Sequence, residues 1–548
     1  MDSHETILQK SDKDRRPSSI VVTDDADAVR LAELGYTQVL TRKFSVWSLL
    51  GVGFSLTNSW FGLSAAMVTG INSGGTALII YGVIIVACVS SCVAISLSEL
   101  ASAMPSAGGQ YYWAHELASE RWKRVASYIV GWFSWAGSIF CSASVALALA
   151  FISSGNVLRV ASDLAKATTA KNSESELRTS TSPSGPTLRP EGYPPPAAAE
   201  GFGEPDLQSY QVINAFAAIF NCYGKTLPWT ASFTLYVSLI SFFVILVTVP
   251  SVTPAHKPAS FVFATFINNT GWNQPGIAFI VGLINTNWPF CCLDCATHLS
   301  EEVPRPERNI PIAICGTVAI GFVTAWFFAV AMFFSLYGGF EQLVSTPTGV
   351  PILALFYSAL TGRSAQVAGA IVLESLILAT GLGCQIASHT WQSRLLWSFA
   401  RDGGVPGSKY LAVINEKLDV PLRAHLVSCG LVAVVGSLYL GSYTAFNSMV
   451  TATIVLLYIS YAVPIYSLLF VRGRNNIRHG PFWLGKIGMV ANVVVLCWTV
   501  FTLVMYSFPY TMPVAANTMN YVSAVYFAVS VIVAADWMFR GRKEYGHV

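Results

Sequence analysis

Charge is scarce in this 548-residue chain: Asp, Glu, Lys and Arg together make up 11% of it, less than half the share of about 25% found in soluble globular domains. With 53% hydrophobic residues and a mean hydropathy of +0.54, a water-soluble fold is excluded and a polytopic all-α membrane protein is expected. A cleavable leader is not legible either, because residues 1–43 are polar and charged and lack a short apolar core behind a basic start. No phosphate loop is present: the GKT at 224–226 lacks the earlier glycine of that motif, Ile219 standing in its place, which excludes ATP as the direct energy source. No nucleophile, base and orienting group fall at a readable spacing, which argues against an enzyme. The eleven cysteines lie in apolar spans, so no disulfide framework is expected. Cys291, Cys292 and Cys295 sit together without histidine partners on a polar surface, so neither a metal nor a cofactor is implied. A net charge of +3 singles out no partner. Nothing suggests nucleic acid, and the lipid bilayer is the partner that composition implies.

What is present is organised around residues 276–311, GIAFIVGLINTNWPFCCLDCATHLSEEVPRPERNIP. Its first 22 residues hold one formal charge, Asp294. Pro289 removes a backbone donor and clashes with the preceding turn, so a regular helix cannot run through. Backbone freed at membrane depth is tolerated only against protein or a wet cavity, and a carboxylate on an apolar span marks a functional site by default. The bland alternative is a proline kink in a packing helix, with Asp294 at the cytosolic boundary. A second interruption is expected in 44–70, where Gly51, Gly53 and Gly62 loosen the span. There Phe54, Asn58 and Phe61 fall at i, i+4 and i+7, one face of a helix.

Twelve spans are read: 44–70, 76–97, 125–153, 210–223, 231–249, 276–297, 311–336, 366–388, 426–440, 448–471, 488–508 and 521–538. The fourth is short, roughly 21 Å of helix against a hydrocarbon core of about 30 Å. Counting it as a crossing gathers the basic residues on one side and puts both termini in the cytosol. Residues 1–43 then form a disordered cytosolic tail, 44–539 a transporter domain, and 540–548 a second cytosolic tail. The Ser/Thr/Pro/Ala-rich stretch 154–209 reads as a disordered extracellular loop. Tyr111, Tyr112 and Trp113 suit the membrane interface. Trp132 and Trp135 share a helix face and either line a cavity or pack. Asn268 heads a glycosylation sequon in an outer loop. Glu374, inside span eight, is either a coupling carboxylate or a local oddity. Glu99, Glu301, Glu302, Arg305, Arg308, Arg401 and Asp402 either pair to close an inner gate or are solvated loop charges.

Breaks five spans apart are the signature of a 5+5 inverted repeat, spans one to five against six to ten, with substrate held where the breaks meet. That points to a secondary transporter driven by an ion gradient. The stretches LGVGFSLTNSWFG, SELASAMPSAGGQYYWAHELA, FCCLDCATHLSEEVPRPERNIPIAI and TWQSRLLWSFARDGGVP resemble the fungal amino acid/choline permeases of the amino acid, polyamine and organocation superfamily. The span-six stretch, FNCYGKTLP and HGPFWLGKIG are most similar to the choline permeases within it. The resemblance runs from about residue 44 onward; the long insertion and short fourth span depart from it. It implies the inverted-repeat fold, a multi-pass plasma-membrane setting, uptake of choline with ethanolamine as a second substrate, and proton coupling, for which Asp294, Glu374 and Glu99 are the candidates.

Choline chemistry fits the residues. A quaternary ammonium has no N–H to donate, so it is held by aromatic faces, each contributing about 0.5–2 kcal/mol, and by a nearby negative charge. Trp60, Phe61, Trp288 and Phe290 at the paired breaks, with Asp294 close by, could build that cage, and Asn58 or exposed backbone could bind the hydroxyl. An amino acid would instead bring a carboxylate to the amides of Gly51, Gly53 and Phe54 at a half-helix end. An amino-acid or γ-aminobutyrate permease therefore stays open. A nutrient receptor that does not transport is the reading from another class, separable by accumulation of labelled substrate.

Overall fold

The computed structural model describes residues 26–153, 207–340, 343, 346, 350–438, 443–516 and 518–546. Among the described residues there is no strand beyond one isolated bridge, Asn415 to Val420. The main helices are α1 (Ala26–Glu33), α2 (Val46–Thr57), α3 (Ser59–Ala65), α4 (Met67–Ala103), α5 (Gln110–Leu117), α6 (Lys123–Ser153), α7 (Leu207–Asn221) and α8 (Leu227–Val252). They continue as α9 (Pro275–Asn287), α10 (Pro306–Phe334), α11 (Gln366–Arg401), α12 (Leu422–Leu438), α13 (Tyr443–Tyr466), α14 (Lys486–Met505) and α15 (Val522–Asp536). Local chemistry sets several starts. Ser45 caps α2 by accepting from the Ser48 amide, and prolines open α9 and α10, where the missing N–H costs nothing.

Nine helices among the described residues are long and apolar enough to cross a membrane, and Leu422–Ser437 is a shorter apolar one. The spans expected at 44–70, 210–223 and 426–440 fall short for separate reasons. The first is cut in two at Asn58. The second, α7, has 15 residues, about 22 Å of helix. The third, α12, has 17 residues and ends where residues 439–442 lie outside the described part.

Sidedness is the reverse of a soluble protein. On α8, Trp229, Phe233, Tyr236, Ile240, Phe243 and Val247 are all exposed at alternating spacings of four and three, which makes one apolar stripe. Ser55, Asn58, Ser238, Thr286, Asn287 and Asp294 are buried. An apolar exterior around a polar interior is what lipid demands. Inside, α4 packs along α9 and α10, α6 along α11 and α13, and α2 lies among α8, α10 and α11.

Two sequence expectations change here. Residues 26–43, read as part of a tail, form α1 and a strap whose Leu31, Tyr36 and Leu40 are buried; three apolar side chains at that spacing suffice to dock it. Residues 1–25, and all of the 154–209 loop except its last three residues, lie outside the described part. Tyr111, Tyr112 and Trp113 are not interfacial but buried, because each polar tip finds an internal partner: Ser398 and Asp402, Leu34 O, and Met104 O respectively.

Candidate functional site

The first interruption lies at Asn58, which adopts a left-handed conformation, φ 34° and ψ 64°, between α2 and α3. It falls inside the expected range 44–70, between Gly53 and Gly62. Gly51 and Gly53 are instead regular helix, used for close approach: a Cβ would sit 2.4 Å from Ala231 O at Gly51 and 2.6 Å from Thr317 Oγ1 at Gly53. The amides of Gly51, Gly53 and Phe54 are thus mid-helix and offer no half-helix end to a carboxylate. Asn is among the few residues that tolerate this backbone region. The Asn58 amide closes the last turn of α2 on Phe54 O at 2.7 Å. The Ser238 hydroxyl of α8 donates to Asn58 Oδ1 and accepts from Trp60 Nε1, which anchors both sides of the break. Asn58 Nδ2 is buried with no hydrogen-bond partner.

The second interruption is longer. α9 ends at Asn287, Trp288–Phe290 forms a 3-10 turn, Cys291 is extended, Cys292 is left-handed at φ 62°, and Leu293–Glu302 continues as a 3-10 segment. The two breaks touch. The Ser59 hydroxyl donates to Pro289 O at 2.8 Å, and a Cβ on Gly62 would lie 3.0 Å from Pro289. Between them is a cavity walled by Leu56, Thr57, Phe61 and Gly62 from one break, by Trp288, Pro289, Cys291 and Cys292 from the other, and by Cys141, Val145 and Cys384. Its free volume is about 10 Å³, about the least that holds one water, so the site is contracted here.

Of the four aromatics expected to form a cage, Phe61 and Trp288 line this cavity. Trp60 turns outward onto Phe242 and Phe328, at 6.2 and 5.5 Å between ring centres, drawn there by its bond to Ser238. Phe290 faces α10, 3.6 Å from where a Cβ on Gly321 would stand. Phe54 is buried in α2 and is not in the cavity wall. Trp132 and Trp135 pack edge to face at 5.6 Å, with Trp132 also against Tyr128 and Phe399 and Trp135 donating to Ser428. They are packing residues here.

Asp294 is fully buried but does not line the cavity. Tyr461 donates to its Oδ1 at 2.5 Å, and His298 Nε2 lies 3.2 Å from its Oδ2. His298 Nδ1 is 2.7 Å from Ala107 O. A carbonyl can only accept, so Nδ1 carries a hydrogen. Contact between Nε2 and a carboxylate oxygen then requires one further proton on that axis, whichever atom holds it. The SAGGQ turn makes this possible: Gly109 has φ 52°, and a Cβ there would meet Thr297 Oγ1 at 2.9 Å and His298 Cε1 at 3.1 Å. Neither His298 nor Tyr461 was singled out from sequence. His298, four residues after Asp294 on an apolar segment, carried a visible i, i+4 signal; Tyr461, 167 positions away, carried none.

A cluster of buried charge pairs lies around Glu301 and Glu302. Arg401 grips Glu301 with both terminal nitrogens, at 3.0 and 2.9 Å, and lies over the Tyr36 ring at 3.9 Å. Arg394 Nε and Lys43 Nζ reach Glu302 at 2.8 and 3.0 Å, and Lys43 also reaches Asp419 at 2.8 Å. Asp402 Oδ2 accepts from the Tyr36 and Tyr111 hydroxyls. Burial pushes the Tyr36 hydroxyl well up, and the charge of Asp402 adds to that, so it stays a donor. Burial also raises the Asp419 carboxyl, but the bonds from Lys43 and Thr41 outweigh this and hold it below the usual carboxylate range. Glu99 pairs with Arg474 at 2.8 Å and accepts from the Leu484 amide. The expected charge cluster is therefore paired and not solvated, with changed partners: Arg394, Lys43 and Arg474 stand where Arg305 and Arg308 were expected. Arg305 contributes its backbone amide to Asp27.

Glu374 is buried, and neither of its carboxylate oxygens has a hydrogen-bond partner. Asn268 donates its side-chain amide to Trp272 O and accepts from Thr270, so the sequon is folded into a turn.

Comparison with known proteins places this architecture. The amino acid permease family matches residues 44–530. A choline transporter of Saccharomyces cerevisiae is 46% identical over 95% of this chain and 85% of its own length. A 7-keto 8-aminopelargonic acid transporter of the same yeast is 33% identical over 94% of this chain and 95% of its own. An amino-acid permease of Arabidopsis thaliana is 29% identical over 96% of each. With its two interrupted helices meeting at a buried cavity, the chain belongs to the amino acid permease family, whose members are multi-pass membrane transporters and not enzymes.

Proposed function

We propose that this protein imports choline, with ethanolamine as a second substrate, across the plasma membrane by alternating access, driven by the proton gradient. The observation that carries the reading is the meeting of two helix breaks at a cavity walled by Phe61 and Trp288, in a chain 46% identical to a yeast choline transporter. Aromatic faces are what a donor-free cation needs. When the cavity widens, Phe61 and Trp288 face the trimethylammonium, the unpartnered Asn58 amide donates to the hydroxyl, and Asp294 supplies the compensating charge. Trp60 and Phe290 brace the two breaks from behind.

In this reading the chain crosses the membrane twelve times, with α2 and α3 as one interrupted span and α7 and α12 as short ones. Spans one to five and six to ten then form the inverted repeat. The Asp294–His298 pair holds the coupled proton. Only with that proton can His298 bridge Ala107 O and Asp294, so its gain and loss bias which side is open. The buried pairs at Glu301, Glu302 and Glu99 hold the inner side shut while the cavity loads.

The test is uptake of radiolabelled choline in cells lacking their own choline transport, with ethanolamine, γ-aminobutyrate and other amino acids as competitors. Saturable accumulation blocked by ethanolamine and abolished by a protonophore is expected. Competition by amino acids in place of ethanolamine would move the substrate to the amino-acid class. Binding without accumulation would make the protein a receptor.

A further inference from the structure

Away from both breaks, α11 and α12 bring two imidazoles and a thiol together. His389 of α11 and His425 and Cys429 of α12 are buried, and one donor atom from each lies within 4.8 Å of the others. Cys429 Sγ is 3.3 Å from His389 Nδ1, and 3.5 and 3.6 Å from the two nitrogens of His425. His425 and Cys429 are four residues apart, so one helix face presents both. The surroundings set the tautomers. His425 Nε2 is 3.0 Å from Ala218 O of α7, a pure acceptor, so it carries the hydrogen and Nδ1 keeps its lone pair. His389 Nε2 faces the side-chain amide of Gln385 at 3.1 Å, while Gln385 Oε1 is buried without a partner. With the amide oxygen and nitrogen exchanged, an assignment made from hydrogen bonds alone, Oε1 accepts from His389 Nε2–H, His389 Nδ1 is left free toward the thiol, and the amide nitrogen takes the unpartnered position.

We propose that His389, His425 and Cys429 form a binding site for a single zinc-class divalent ion, linking α11 to α12. Around a tetrahedral ion with bonds of about 2.3 Å to sulfur and 2.0–2.1 Å to nitrogen, the sulfur–nitrogen separation is about 3.6 Å. The observed separations of 3.3 and 3.5 Å lie close to this, and turning the His425 ring has to bring the two imidazole nitrogens, within 4.8 Å of each other, to about 3.3 Å. Both imidazoles are held through their far nitrogens by Gln385 and Ala218, the outer contacts that orient metal-binding histidines. Binding replaces the Cys429 S–H bond by a sulfur–metal bond and releases that proton to solvent. Two imidazoles and a thiolate suit a borderline-soft ion and not magnesium or calcium. The remaining coordination position falls to a water or a neighbouring oxygen. A bound ion would clamp the cytosolic start of α12 to α11, with α7 held through Ala218.

The test uses the full chain purified in detergent, stripped with chelator and titrated with cobalt(II). The expected result is a thiolate-to-cobalt absorption band saturating at about one ion per chain and erased by added zinc. C429S should lose the band, and H389N and H425N should weaken binding by about tenfold or more. Gel filtration and helical content are checked for each, and any variant that misfolds is replaced in the comparison by the other two. Absence of a thiolate band in the parent protein would overturn the site. So would an unchanged band in folded C429S, which would place the metal on another of the thiols.

Discussion

Asp294 and Glu374 are both buried carboxylates on segments apolar enough to cross a membrane, and they sit in opposite surroundings. Asp294 lies two residues beyond the left-handed Cys292 of the second break and has Tyr461 and His298 on its two oxygens. Glu374 lies in an uninterrupted helix and has nothing on either. Burial is common to both, so burial alone does not separate a working acid from an incidental one. What differs between them is the presence of hydrogen-bond partners.

The sharpest way to break this contrast is Asp294→Asn. It leaves His298 facing an amide and removes one member of a buried pair, a change costing about 3–5 kcal/mol. Choline uptake should fall by about a hundredfold or more with the protein still at the cell surface. Unchanged uptake and unchanged pH dependence would remove Asp294 from the mechanism. Glu374→Leu probes the other side. Replacing an unsatisfied buried polar group by an apolar one of similar size should stabilise the protein by about 1–3 kcal/mol, read as a raised melting temperature with uptake retained. A folded variant without uptake would instead put Glu374 on the proton path.

Smaller effects sharpen the role of the break itself. Asn58→Ala forces alanine into a left-handed conformation at about 1–2 kcal/mol and loses the Ser238 bond, whereas Asn58→Gly loses only the bond. Thermal stability should rank parent, then glycine, then alanine; equal losses would show that backbone conformation is not the issue. The smallest effect is at the rim. Because the Asp419 carboxyl is held below its usual range, its contact with Lys43 contributes fully at pH above that range and is lost as pH falls from it through the lowered folded-state value. Asp419→Asn should cost no more than about 1 kcal/mol near neutrality and nothing in acid, measured as a melting-temperature difference across pH. A difference that persists in acid would rule out the ion pair as its source.

How much of this was legible in sequence follows from the range of each interaction. The second break was, because Pro289 acts on its own neighbours. The first was expected within 44–70 but not tied to Asn58, because Gly51 and Gly53 carry the same local signal whether they loosen a helix or admit a neighbouring backbone. Only Ala231 and Thr317 decide between these, and both are far along the chain. Only two of the four aromatics line the cavity, for a related reason. Helical phase stops at Asn58 and Pro289, so which of Trp60 and Phe61, or Trp288 and Phe290, faces the cavity is set by Ser238 and Gly321. The buried charges were legible as a cluster but not as pairs, since nothing local matches Glu302 to Arg394 and not to Arg308.

Glu302 deserves a last consideration as a matter of kinetics. Its carboxylate takes Arg394 and Lys43, while its own carbonyl accepts the amides of Lys43 and Phe44. These bonds converge on one residue, so the strap cannot peel away gradually: releasing one partner loosens the others. In the proposed transport cycle, a step that parts the strap from Glu302 has to break these bonds together, and turnover should then steepen with temperature wherever that step is the slow one.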